Sequence, residues 1–160
     1  AMRVYFEVNN GPYAAGESSF IGETLTRLGV KNVIPAELGP EPGAAAYAET
    51  LRAVPSFDLA LLGLGEDGHT ASLFPGQYWG EGDSAPDVLA VRDAPKPPPE
   101  RVSLSARRLS RARQVLFLVT GAGKRDPLSR WRGGERIPAA AITPPAGIDV
   151  LLDAAAFPDC

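Results

Sequence analysis

The residues with the clearest chemical potential form one run, Gly63-Leu64-Gly65-Glu66-Asp67-Gly68-His69-Thr70. An imidazole whose unperturbed pKa is about 6.5 accepts a proton from water at neutral pH, which is general-base chemistry. Asp67, two residues earlier, is placed to orient that imidazole and to stabilise its protonated form, and Glu66 adds a second carboxylate. Gly65 and Gly68 lack side chains, so backbone amides there can approach a ligand closely. Thr70 or Ser72 could start a short helix whose free N–H groups favour an anion. A structural alternative stands beside this one: Asp67-Gly68 is also a common turn pair, and a single loop histidine is often simply solvated.

Composition limits the remaining chemistry. The 160 residues contain one histidine, one cysteine (Cys160, the last residue) and one methionine. An internal disulfide, a cysteine-rich zinc site and a two-histidine metal site are thereby excluded. The net charge of −3 argues against a nucleic-acid surface. No stretch approaches the roughly 20 apolar residues of a membrane span, and the N-terminus lacks a signal-peptide pattern, so the expected location is cytoplasmic. Ala1 ahead of Met2 resembles the scar of a cleaved tag, as in an engineered chain.

The elements that must position the run are legible from hydrophobic pattern. Phe57 to Leu64 is almost continuously apolar, as in a strand covered on both faces at the centre of a parallel sheet. The polar run therefore lies beyond the strand's carboxyl end, where open α/β sheets bind ligands. Further strands are predicted at Arg3–Val8, Asn32–Ile34, Val88–Val91, Arg101–Ser105, Gln114–Thr120 and Ile148–Leu152, with a short one at Ile137–Ile142. Helices are predicted from Ser18 to Leu28, from Ala44 to Val54 and from Lys124 to Trp131. Residues 76–86 and the proline-rich 94–99 are predicted as irregular loops. The alternation predicts a single three-layer α/β domain over 1–160, with a mainly parallel sheet and helices on both faces, Rossmann-like or doubly wound.

The stretch Phe57 to Gly76, with Asp67-Gly68-His69-Thr70-Ala71-Ser72-Leu73-Phe74-Pro75 at its heart, closely resembles the signature of the 6-phosphogluconolactonases. The glucosamine-6-phosphate isomerase/deaminase family shares the Asp-Gly-His core, but the continuation through Pro75 is similar to the lactonase version. Supporting similarity runs through Ile34-Pro35-Ala36-Glu37-Leu38-Gly39-Pro40, Arg101-Val102-Ser103-Leu104, Val115 to Gly121 with Lys124, and Leu151-Leu152-Asp153. The resemblance implies hydrolysis of a sugar-phosphate lactone without an obligatory cofactor. His69 would then be the general base, with Asp67 and Glu66 beside it, and Gly65, Gly68 and Thr70 would belong to the substrate loop. Lys124 matches the family lysine expected near the anionic end of the substrate, or is an ordinary solvated helix-start lysine. Gly123-Lys124 is not a nucleotide P-loop, because Leu118 stands where the first glycine belongs and Arg125 replaces the Ser or Thr.

Two family elements that bind the sugar phosphate, a glycine/serine-rich loop and an Asp-Glu-Arg segment, have no counterpart ahead of Ile34. Residues Arg3 to Val33 instead resemble the opening of the second lobe of cobalamin- or siderophore-type periplasmic binding proteins. The combined expectation is a chimera, with a binding-protein-like unit at 1–34 and a lactonase-like core at 35–160, joined near Ile34 to Pro40. Its expected lactonase activity is weak or absent. The alternatives are a working lactonase whose missing anion contacts are supplied by Arg101, Lys124 or Arg125, and a corrinoid- or siderophore-binding module. A re-edged sheet also predicts a homodimer through an exposed strand edge.

Overall fold

A computed structural model describes residues 4–6 and 39–157 of the chain. The strand predicted at Asn32–Ile34, the helix from Ser18 and the junction up to Leu38 lie outside the described residues.

Among the described residues the apolar runs form a parallel sheet of four strands. Strands β1 (Val4–Phe6) and β2 (Leu59–Gly63) pair with Tyr5 opposite Ala60, and β2 pairs with β5 (Val115–Val119) with Leu61 opposite Leu116. Strand β6 (Ile148–Leu152) completes the order β1-β2-β5-β6, with Phe117 opposite Val150. Strand β2 is thus internal, as expected. Its two faces are not equally covered, however: Ala60 and Leu62 are buried, whereas Leu59 and Leu61 are half-buried. In β5, Val115, Phe117 and Val119 enter the core while Leu118 stays exposed. Strand β6, outermost among the described residues, exposes Val150 and Leu151.

Strands β3 (Val88–Val91) and β4 (Arg101–Leu104) form a separate antiparallel pair, Leu89 opposite Ser103, on which helix α1 (Pro40–Leu51) packs through Ala44, Tyr47 and Leu51. Helix α1 begins at Pro40 rather than Ala44, because proline is favoured in a first turn whose N–H groups have no intrahelical partner. It ends at Leu51 rather than Val54, whose N–H turns back to the Leu51 carbonyl.

Two further departures have local causes. A short helix not foreseen in the sequence, α2 (Ala106–Ser110), is started by Ser105, whose hydroxyl accepts the Arg108 N–H at 3.1 Å. The strand predicted at Ile137–Ile142 is instead a 3₁₀ turn over Pro138–Ala141. Pro138 has no N–H for a ladder, and the Ala139 N–H donates to the Gly68 carbonyl at 3.2 Å. The apolar positions that suggested a strand are buried all the same, since Ile137, Ala139 and Ile142 all enter the core. Helix α3 (Arg125–Arg132) follows a 3₁₀ turn, Ala122–Lys124, and lays Trp131 edge-on against Phe117 with ring centroids 4.9 Å apart.

A charge cluster around one buried arginine ties these pieces together. Arg108, 1% exposed, donates to Asp87 at the start of β3 and to the carbonyls of Val54 and Pro55 ahead of β2, while its guanidinium lies 4.9 Å from the Phe57 ring. Asp87 also pairs with Arg107 and Arg111. Among the described residues no helix is long and apolar enough to cross a membrane.

Candidate active site

The candidate site begins where β2 ends. The Gly63 carbonyl accepts the Thr70 hydroxyl at 2.9 Å, so the six residues between them return on themselves. Within that loop the Gly65 N–H donates to the His69 carbonyl at 2.7 Å and the Gly68 N–H to the Gly65 carbonyl at 3.0 Å. Gly68 has φ +89, where a side chain is strained, and an added Cβ would also meet Ile137 at 3.0 Å. The amides of Gly65 and Gly68 themselves are therefore engaged inside the loop, which leaves any oxyanion contact to amides around them. Thr70 is fully buried and holds the loop shut rather than facing a ligand. No helix starts at Thr70 or Ser72: Thr70 and Leu73 form a bridge, Ala71 takes φ +50, and the Ser72 N–H donates to Ser103 Oγ of β4. A positive φ cannot be extended into a right-handed helix.

This loop delivers the pair expected from the sequence. His69 Nδ1 lies 2.5 Å from Asp67 Oδ1, and the same oxygen accepts the His69 backbone N–H at 3.2 Å. The imidazole is 1% exposed and rests on Phe74 with centroids 4.8 Å apart; the Asp67 side chain keeps 35% of its surface. Close packing explains Gly65: a Cβ there would sit 2.0 Å from His69 Nδ1 and 2.7 Å from Asp67 Oδ1. Burial holds the His69 pKa below the usual histidine value, and the charges of Lys96 and Lys124 act in the same direction; the Asp67 bond opposes them without prevailing. Burial would raise the Asp67 pKa, but its bonds to His69, with help from Lys96, hold it below the ordinary aspartate value. At neutral pH the pair is thus a carboxylate beside a neutral imidazole. Such an imidazole, fixed through Nδ1, can act as a base through Nε2.

Glu66 points across to the next loop, its Oε1 only 2.8 Å from where a Cβ on Gly123 would stand. That loop is anchored by Asp153, whose carboxylate accepts the Gly121 N–H at 3.0 Å, and it ends in Lys124. The structure therefore brings Glu66, Asp67, His69 and Lys124 to one end of the sheet. The two arginines considered as anion contacts are otherwise engaged: Arg125 Nε donates to the Ala155 carbonyl, and Arg101 holds the carbonyls of residues 96–98. Lys96 was missed in the sequence, although a lysine set among prolines is a visible oddity. Among the described residues no three of His, Cys, Asp and Glu converge as metal ligands.

Fold and site together define a parallel α/β protein with an acid–histidine pair at the carboxyl end of an internal strand. The chain belongs to the glucosamine-6-phosphate isomerase/6-phosphogluconolactonase family, whose sequence model matches residues 18–151. The 6-phosphogluconolactonase of Homo sapiens is 41% identical over 120 residues, covering 69% of this chain and 46% of that protein. The 6-phosphogluconolactonase of Mycobacterium tuberculosis is 36% identical over 146 residues, covering 89% of this chain and 55% of that protein. The chain spans about half the length of these relatives. Among solved structures, the 6-phosphogluconolactonase from Trypanosoma cruzi superposes with a TM-score of 0.63 at 28% identity, covering 73% of this chain and 50% of that one. The fold is also that of the Thermotoga maritima 6-phosphogluconolactonase, with a TM-score of 0.79 at 21% identity over 94% of this chain and 84% of that one. The family match begins inside the segment whose resemblance suggested a binding-protein lobe.

Proposed function

We propose that the chain hydrolyses the ring ester of a sugar-phosphate lactone, 6-phosphogluconolactone, with His69 as general base. The observation that carries this reading is the Asp67–His69 pair beyond the end of β2, with a buried imidazole held neutral beside a half-exposed carboxylate. In the step it supports, His69 Nε2 takes a proton from water as the water oxygen bonds to the lactone carbonyl carbon. Asp67 stabilises the imidazolium that results. The tetrahedral intermediate then collapses, the bond from the carbonyl carbon to the ring oxygen breaks, and the imidazolium returns its proton to that oxygen. The product is the open-chain hydroxy acid, which ionises in water. Lys124 places positive charge where the phosphorylated substrate is anionic. Lactonase rather than isomerase chemistry is favoured by the Thr70 to Pro75 continuation and by the names of the human and mycobacterial relatives.

A second reading, in which hydrolysis by this chain is weak or absent, stands beside the first. One assay separates the two. Hydrolysis of 6-phosphogluconolactone is followed for the wild type and His69→Ala with the spontaneous rate subtracted. A wild-type rate above background that His69→Ala abolishes supports the enzyme; equal background rates overturn it. A homodimer through a strand edge exposed at the N-terminal side of the sheet is proposed as well: light scattering at high concentration should show a dimer, and a monodisperse monomer at all concentrations would refute it.

A further inference from the structure

Between β3 and β4 the chain makes a loop, Ala94–Pro99, in which Pro95, Pro97, Pro98 and Pro99 surround Lys96. The loop is closed at its base by the Ala94 N–H donating to the Pro99 carbonyl at 2.9 Å, and Gln77 Nε2 holds the carbonyls of Arg92 and Asp93 just before it. Its tip is gathered by one side chain. Arg101 donates from Nε to the Pro98 carbonyl at 3.0 Å, and from Nη2 to the Lys96 carbonyl at 2.8 Å and the Pro97 carbonyl at 3.0 Å. The same guanidinium lies 5.3 Å from the Phe74 ring, which is fully buried and is the ring that supports His69. A continuous stack therefore runs from the imidazole through Phe74 and Arg101 to the backbone of Lys96.

Three features make this more than a solvated surface lysine. The backbone beneath Lys96 is fixed by four prolines and three charge-assisted hydrogen bonds, so the ammonium swings from a rigid base. Its charge is felt at both Asp67 and His69. Among the described residues no carboxylate forms an ion pair with it, although Arg92 nearby is paired with Glu41 and Glu100. A cation without a carboxylate partner, carried on a loop that Arg101 and Phe74 link to the candidate base, is suited to an anion that arrives with the substrate.

We infer that Lys96 binds the phosphate of the lactone substrate, as a second cation beside Lys124, and that Arg101 is a positioning residue that sets Lys96 through its clasp on residues 96–98. This inference rests on the lactonase reading for the identity of the anion. Lys96 is thereby a specificity residue, because a lactone without phosphate gains nothing from it.

The single histidine of the chain supplies a reporter that does not depend on turnover, since its Hε1 resonance is unique in the proton spectrum. Among the described residues, the charged groups that act on His69 are Asp67 on its own loop, Lys96 on the β3–β4 loop and Lys124 on the turn before α3. In the wild type, Lys96→Gln and Arg101→Ala, two quantities are measured: the His69 titration midpoint, and the affinity for 6-phosphogluconate from the shift of that resonance. Where the wild type turns over, kcat and KM are added for the phosphorylated lactone and for its unphosphorylated counterpart. Losing one charge-assisted contact predicts about tenfold weaker 6-phosphogluconate binding and a KM for the phosphorylated lactone raised by about the same factor, with kcat changed less. The KM for the unphosphorylated lactone stays the same, and the His69 midpoint rises. Arg101→Ala reproduces these changes with Lys96 still present, and the double variant adds little. If Lys96→Gln leaves 6-phosphogluconate affinity and the His69 midpoint unchanged, the inference is overturned, and a folding defect in Arg101→Ala does not affect that arm. A wild type that binds 6-phosphogluconate through Lys96 but does not hydrolyse the lactone overturns the proposed function alone.

Discussion

Gly65→Ala is the sharpest perturbation of the site, because it adds one carbon atom at a known place. Gly65 does not have the positive φ that makes substitution costly in itself, so the effect is steric. The new Cβ stands 2.0 Å from His69 Nδ1, and ordinary contact starts at 3.4 Å, so the imidazole must retreat by 3.4 − 2.0 = 1.4 Å or the loop must open by as much. A retreat of that size breaks the 2.5 Å bond to Asp67, whose Oδ1 is itself only 2.7 Å from the new carbon. Phe74 blocks the ring on one side. A misplacement of about 1 Å costs on the order of 10²-fold in rate, about 2.7 kcal/mol at the transition state. Initial rates of 6-phosphogluconolactone hydrolysis, corrected for spontaneous opening, are compared with a thermal melt and with Gly39→Ala. Gly39 is a suitable control, since an added Cβ there meets nothing within 4 Å. The expected result is a fall in kcat of about a hundredfold in Gly65→Ala and near wild-type behaviour in the control. A Gly65→Ala protein with kcat within about twofold of wild type would show that the tight pairing of Asp67 and His69 is not what the reaction depends on.

Two other outcomes follow from the same geometry. The carboxylate of Asp67 raises the His69 pKa against burial and two lysines, so Asp67→Asn should lower it further. The acid limb of the pH–rate profile, already expected below pH 6.5, moves to lower pH, and the plateau drops about 10²-fold or more as the base weakens and its tautomer is no longer fixed; an unmoved limb would contradict this. Asp87→Ala leaves the 1%-exposed Arg108 with only backbone carbonyls and the Phe57 face. Loss of about 3 kcal/mol in urea unfolding is expected, at the low end for a broken buried pair because Asp87 keeps 26% of its surface; a change under about 0.5 kcal/mol would refute the clasp.

The amino-acid sequence by itself determined the elements whose signals are local. The runs Phe57–Leu64 and Gln114–Thr120 read as buried strands, and Asp67 and His69, directly after the first of them, read as an acid–base pair beyond a strand's carboxyl end. Ile137–Ile142 shows where a local signal misleads: its apolar spacing reports burial, but Pro138 removes the donor a strand needs, so the chain turns. Only the tertiary structure decided which groups of the loop are available. The amides of Gly65 and Gly68 are consumed by carbonyls a few residues away, a consequence of how tightly the loop closes, which the letters do not show. It also decided that Arg101, which in the sequence suggests an anion contact, faces backbone carbonyls, and that Lys96, 27 residues after His69, shares its electrostatic environment. Hydrophobic periodicity and turn chemistry act over a few residues and are written in order along the chain. Proximity across the fold depends on how the β3–β4 pair docks against the end of β2, and only the folded packing fixes that.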